Sequence, residues 1–232
     1  MLELYTLKIS DCVGENNIEE LYNMTSSITQ DKVSRYRFIE DKKRTLYADL
    51  LVRSIIIRLT GVNNRGIRFI TNQYGKPYYV ENNNLFFNIS HSGDRVLCGF
   101  SNEEIGVDIE LMKNCDIELA RRYFTQDEYE MLIHSETNKM ISCFYSIWCA
   151  KESYIKYMGL GLSLPLGTFY CDILTGCIFE GSKEVNTAKL HELSVDDSYK
   201  AYVCCSKKLI KDNISVQEIS MNEVIKQIKS KP

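Results

Sequence analysis

One order of elements occurs twice along this chain: a strand, then helices, then a group of short strands. MLELYTLKI alternates apolar and polar residues as a half-buried strand does. NNIEELYNMTSSI and QDKVSRYRFI read as helices. RTLYADLLVRSIIIRLTG reads as a long amphipathic one, with Leu46, Leu50, Ile56 and Leu59 at helical spacing and Gly61 where a C-cap belongs. Short strands follow around IRFI, PYYV, LFFNIS and RVLCGFS. The order restarts at the strand IGVDIEL. A helix follows with a capping box at Thr125 and Glu128, and SCFYSIWCAKESYIKYMG forms a long helix ending near Gly159. Strands at TFYCDI, HELSV and KAYVCCS precede a last helix, SMNEVIKQIK, capped by Ser220 and Glu223. The prediction is an α+β protein of two similar α/β subdomains, residues 1–103 and 104–232. No Pro/Gly-rich linker separates them, so they are expected to pack tightly, with a ligand pocket at their interface.

At 232 residues the chain can bury a sizeable core, and its 44% hydrophobic and 25% charged residues are ordinary for a globular protein. A net charge of −3 gives no bulk field for nucleic acid or an anionic membrane, so any anion site needs a local cluster of Lys and Arg. The N-terminus lacks the apolar core of a signal peptide. The longest uncharged run, in YMGLGLSLPLGTFYC, is broken by Gly and Pro and is too short to span a bilayer. A cytoplasmic protein without a membrane segment is expected. The nine cysteines show neither C-x-x-C nor zinc-finger spacing and read as reduced thiols.

IGVDIEL poses an electrostatic problem. Val107, Ile109 and Leu111 suit a buried strand face, but Asp108 and Glu110 then share the other face, their Cα atoms about 6.6–6.8 Å apart. In a dry site their repulsion raises at least one pKa, and a divalent cation removes that cost. The same alternation also suits the solvated face of an edge strand. Glu152 and Lys156 lie four apart on the long helix, which fits either a surface ion pair or, with Trp148 one turn earlier on the same face, an inward-turned acid that needs a partner. FFNISHSGD places Ser90, His91 and Ser92 after an apolar strand, either as a plain turn or as a phosphate cradle. QYGKPYY presents Lys76 on a turn, and DKVSRYRFIEDKKRT supplies Lys32, Arg35, Arg37, Lys42, Lys43 and Arg44, some of them candidates for gripping phosphate. No Walker or G-x-G-x-x-G loop is present. Three acids, a divalent metal and scattered phosphate grips point to chemistry at a pyrophosphate ester.

FNISHSG, IGVDIE and WCAKESYIKYMGLGLSLPL, with RTLYADLLVRS and YGKP upstream, closely resemble the surfactin-type 4′-phosphopantetheinyl transferases in order and spacing, from about Asp31 to Leu166. The resemblance implies two α+β subdomains related by a pseudo-two-fold, with the active site between them. It implies transfer of the phosphopantetheine arm of coenzyme A to a serine of an apo peptidyl or acyl carrier protein, releasing adenosine 3′,5′-bisphosphate. By the same resemblance Asp108, Glu110 and Glu152 ligate Mg²⁺, and Lys156 reaches the pyrophosphate. Lys76, Ser90 and His91 hold coenzyme A, with His91 near the 3′-phosphate. Lys32, Arg44 and Thr45 line the nucleotide pocket, and Gly75 and Pro77 shape its adenine side. Glu152, or a water at the metal, takes the serine proton. Where the family often carries a further basic residue this chain has Thr29, for which Arg35 is the expected compensation. The length and two-half layout imply a monomer. Arg121, Arg122, Tyr123 and Phe124 are the expected carrier-facing surface, with a core role for Phe124 as the alternative.

Overall fold

The computed structural model of the chain describes residues 1–10, 18–209 and 214–232. In the first half, strand β1 (Leu2–Lys8) leads to helices α1 (Ile18–Asn23), α2 (Ser27–Ser34) and α3 (Ile39–Thr60). Hairpin β2–β3 (Phe69–Thr71, Pro77–Tyr79) and strands β4 (Phe86–Ser92) and β5 (Arg95–Ser101) follow. The second half runs β6 (Ile105–Leu111), α4 (Ile117–Tyr123), α5 (Gln126–Ile133) and α6 (Met140–Met158). It continues through β7 (Phe169–Cys171), β8 (Ile178–Glu180), β9 (Lys183–Glu184), β10 (Ala188–Glu192) and β11 (Tyr199–Ser206) to β12 (Val216–Glu218) and α7 (Met221–Lys229).

Helix boundaries follow local capping chemistry. The two expected N-terminal helices are instead cut at Thr25–Ser26, because the Ser26 side chain accepts from the Thr29 backbone N–H and starts α2 afresh. Asn16 and Asn17 lie outside the described residues. Helix α3 begins five residues before the expected Arg44 and ends at Gly61, whose φ of 73° closes the last turn. Both expected capping boxes form, at Thr125/Glu128 and Ser220/Glu223. The eight described cysteines are all unpaired.

Two main sheets meet at the centre. One has the strand order β12-β1-β5-β4 and the other β10-β11-β6, so β4 and β6 are both edges. These edges are joined by side chains, through alternate residues of β4. Asn88 Oδ1 accepts from the Val107 N–H, Ser90 Oγ donates to Asp108, and Ser92 Oγ donates to Glu110 and accepts from the Leu111 N–H. On β6, Ile105, Val107 and Ile109 turn into an apolar seam with Leu4, Leu97, Val203 and Cys205. Gly106, Asp108 and Glu110 occupy the opposite face. That alternation explains why a β-prone stretch carries paired carboxylates.

After the second half the chain returns to the first. Strand β12 pairs parallel with β1, and α7 buries Met221, Val224, Ile225 and Ile228 in the core around α3. The last two elements therefore pack in the first half, because α7 carries an apolar face that α3 covers.

A buried ion pair staples the second half. Lys151 and Glu128 are both fully buried and 2.8 Å apart; Lys151 also donates to the carbonyls of Leu166 and Phe169, and Glu128 accepts from the Cys171 N–H. Removing one partner strands the other charge. Lys151→Met is expected to cost roughly 3–5 kcal/mol in urea unfolding, and pairing it with Glu128→Leu to restore much of the loss.

Candidate active site

A cavity of about 620 Å³ opens between the two halves, a size suited to a nucleotide-containing ligand. Both halves contribute to its lining. Helix α6 contributes Trp148, Glu152 and Lys156, at the four-residue spacing of one helical face. Strand β6 contributes Asp108 and Glu110, and the first half adds Lys32, Thr45, Gly75, Pro77, Ser90 and His91. Phe69, Phe87, Ile89 and Val52 form an apolar inner wall.

Close packing of α6 on β6 sets the spacing. A Cβ on Gly106 would stand 2.0 Å from the Ser153 carbonyl oxygen and 2.3 Å from the Tyr157 nitrogen. Only glycine lets the helix approach this far, and the approach brings Lys156 to Asp108 at 2.6 Å. Lys156 also donates to Ser90 Oγ at 2.9 Å, while Ser90 donates to the same Asp108 oxygen at 2.8 Å. The triangle spans both subdomains.

The acids are strained electrostatically. Burial pushes the Glu110 and Glu152 carboxyls above the usual range, and the Asp108 charge pushes each the same way. Lys156 offsets part of this at both, and the Ser92 hydroxyl at Glu110. Asp108 Oδ2 is buried with no hydrogen-bond partner. Hard oxygen donors, a shared excess of negative charge and one orphaned carboxylate oxygen suit a divalent cation such as Mg²⁺. The expected three-acid ligand set is not preassembled: among the described residues no group of three or more His, Cys, Asp or Glu is drawn together to hold a metal. Asp108 is engaged by Lys156 and Ser90, and Glu110 by Ser92.

The opposite pole is cationic. His91 keeps an exposed surface, but the protein packed around its ring disfavours the charged form, and Lys156, Arg44 and Lys32 push its pKa down further. The charges of three cations thus converge on one imidazole, as an anion site requires. Arg44 ties α3 to the Gly93 turn through its Nε–H to the carbonyl at 3.1 Å and pairs with Asp41.

The comparisons with known proteins fall on this arrangement. The family model described as the 4′-phosphopantetheinyl transferase superfamily matches residues 104–205, and that described as the 4′-phosphopantetheinyl transferase N-terminal region matches residues 15–102. The chain is 33% identical over 230 residues to the 4′-phosphopantetheinyl transferase Sfp of Bacillus subtilis (strain 168), covering 97% of this chain and 100% of the relative. This chain belongs to the 4′-phosphopantetheinyl transferase superfamily. The transferase is also 31% identical to gsp of Aneurinibacillus migulanus over 225 residues, covering 97% of this chain and 94% of that one. With ffp of Bacillus subtilis the identity is 34% over 221 residues, covering 93% and 97%.

Several expected positions of the transferase fall elsewhere. The Lys76 side chain is 5% exposed and its ammonium contacts Glu104, not the cavity; burial lowers its pKa and Glu104 opposes the change. Arg35 is exposed at the C-cap of α2, outside the cavity lining, whereas Thr29 lies in it. Phe124 is core, 5.5 Å from the Phe144 ring, while Arg121, Arg122 and Tyr123 are exposed. Ser90, His91 and Ser92 belong to β4 itself, and the turn begins at Gly93 with φ 54°. Sequence reasoning missed Asn88 and the Ser92–Glu110 bond; the polar residues at 88, 90 and 92, spaced by two along an apolar strand, were the available signal. It also missed Asp49, a buried acid in the cavity wall whose pKa burial raises and the Arg53 pair at 2.8 Å lowers. Among the described residues no helix is long and apolar enough to cross a membrane.

Proposed function

We propose that this chain is a magnesium-dependent transferase that moves the 4′-phosphopantetheine arm of coenzyme A onto a serine of an apo peptidyl or acyl carrier domain, releasing adenosine 3′,5′-bisphosphate. The observation that carries this reading is the pairing, across one cavity, of an acidic pole on β6 and α6 with a pole at Lys32 and His91, whose ring also feels the charge of Arg44 just outside the lining. A bisphosphate nucleotide places anionic groups at both ends of such a site. Its base suits the apolar wall beside Gly75 and Pro77.

Asp108, Glu110 and Glu152 are the residues that would hold Mg²⁺, which supplies charge neutralisation at the pyrophosphate. The chain's own groups do the rest. Lys32, Arg44 and His91 bind the 3′-phosphate and fix the nucleotide's register. Ser90 orients Lys156, whose ammonium stabilises charge on the leaving phosphate. Glu152, or a water at the metal, would take the proton of the carrier serine as oxygen attacks phosphorus. The exposed Arg121, Arg122 and Tyr123 offer a basic and aromatic surface to an acidic carrier helix, and a monomer provides the whole site.

Incubation with coenzyme A, Mg²⁺ and a panel of apo carriers, followed by intact mass measurement, tests the reading. A mass gain of one phosphopantetheine on at least one carrier is expected; loss of coenzyme A with every carrier unchanged would sink it. Lys156→Ala is expected to lower turnover by about a hundredfold while changing the Kd for coenzyme A far less, because its contact strengthens as charge develops.

A further inference from the structure

Lys76 sits on the β2–β3 turn between Gly75 and Pro77, both of which line the cavity. Its ammonium is fully committed elsewhere. It pairs with Glu104 at 2.5 Å and donates to the carbonyls of Ile105 and Tyr157, each at 3.1 Å. The Tyr157 carbonyl belongs to the last turn of α6, where carbonyls lack helical partners. Asn72 reinforces the joint: its side-chain N–H donates to the Gly159 carbonyl at 2.8 Å, and its Oδ1 accepts from the N–H groups of Tyr74 and Lys76. Tyr78 donates to the second Glu104 oxygen at 3.2 Å. The packing is close, since a Cβ on Gly159 would lie 3.1 Å from Lys76 Cδ.

Each element at this joint also carries one wall of the cavity. The hairpin carries Gly75 and Pro77, the strand entered through Glu104 carries Asp108 and Glu110, and α6 carries Glu152 and Lys156. With three donors and three acceptors matched, the ammonium has no free N–H to offer a phosphate. We propose that Lys76 and Glu104 form a positioning pair that holds the nucleotide-binding hairpin in register with the acid and lysine faces of β6 and α6. The proposal rests on the reading of the cavity as a coenzyme A site.

Lys76→Met, Glu104→Gln and the double variant are compared with the parent protein. Readouts are Tm, the Kd for coenzyme A by calorimetry, and kcat and KM at a temperature well below every Tm. Positioning predicts that both single variants lose about tenfold in kcat/KM, mainly in kcat, and that the double variant is no worse than the worse single. Direct phosphate contact predicts that Lys76→Met weakens the Kd strongly while Glu104→Gln stays within about twofold of the parent. A purely structural role lowers Tm and leaves kcat unmoved. Glu104→Gln is the decisive variant should Lys76→Met fold poorly, because Glu104 is partly exposed and lies outside the cavity lining. Parental activity in Glu104→Gln overturns the proposal. Failure of the parent protein itself to bind coenzyme A overturns the underlying reading instead.

Discussion

Glu152→Gln is expected to lose at least about 10²–10³-fold in transfer while raising the Tm of the ligand-free protein. The activity loss follows from removing a carboxylate at the centre of the acidic pole, where charge stabilisation is worth most. The stability gain follows from the direction of the pKa shift. Burial, then Asp108, makes the native protein hold the Glu152 proton more tightly than the unfolded chain does. The ionised carboxylate therefore costs stability that is absent at low pH. The cost sets in as pH rises past the ordinary glutamate range and is complete above the native pKa. Glutamine removes that cost at similar volume. The gain, read by thermal unfolding at neutral pH, converts at about 2–4 °C per kcal/mol for a chain of this size. It is expected to shrink as the pH is lowered, because the parent then becomes protonated. A Glu152→Gln protein that transfers normally, or whose Tm falls at neutral pH, contradicts the assignment.

Gly106→Ala is expected to be the most damaging single methyl addition in the molecule. The new Cβ meets backbone atoms of α6 at 2.0 and 2.3 Å, and backbone cannot rotate away as a side chain can. Either α6 moves off β6 or the strand bows, and both outcomes separate Lys156 from Asp108. Overpacking of this kind is expected to cost at least about 3 kcal/mol, and a displacement near 1 Å to lower transfer by about a hundredfold. Gly61→Ala is the control. Its φ of 73° adds about 1–2 kcal/mol of left-handed strain, but its Cβ would meet nothing within 4 Å. A Gly106→Ala protein with the Tm and activity of the control shows that the helix–strand contact does not set the site.

Much of this was legible in the sequence, and the parts that were not share a cause. The strand IGVDIEL announced its two faces by period-two alternation, and Trp148, Glu152 and Lys156 announced theirs by spacing of four; local geometry fixes both. Capping boxes and C-cap glycines likewise act over a few residues. Lys76 was misplaced because its partners, Glu104 and the end of α6, are 28 or more residues away. A sequence shows a lysine on a turn but not which carbonyls it will meet. Phe124 is in the core for the same reason: it packs against Phe144 on α6, beyond the whole of α5. The return of β12 and α7 was hidden because α7 advertises an apolar face without naming the surface that covers it.

That return has a practical corollary. A chain severed near residue 103 gives an amino-terminal piece whose α3 loses the helix covering one of its faces and whose β1 lacks its parallel neighbour, while the carboxy-terminal piece trails a strand and helix with nowhere to dock. Splitting the gene there therefore yields two pieces that are each incomplete; a bipartite version would have to graft residues 214–232 onto the upstream half.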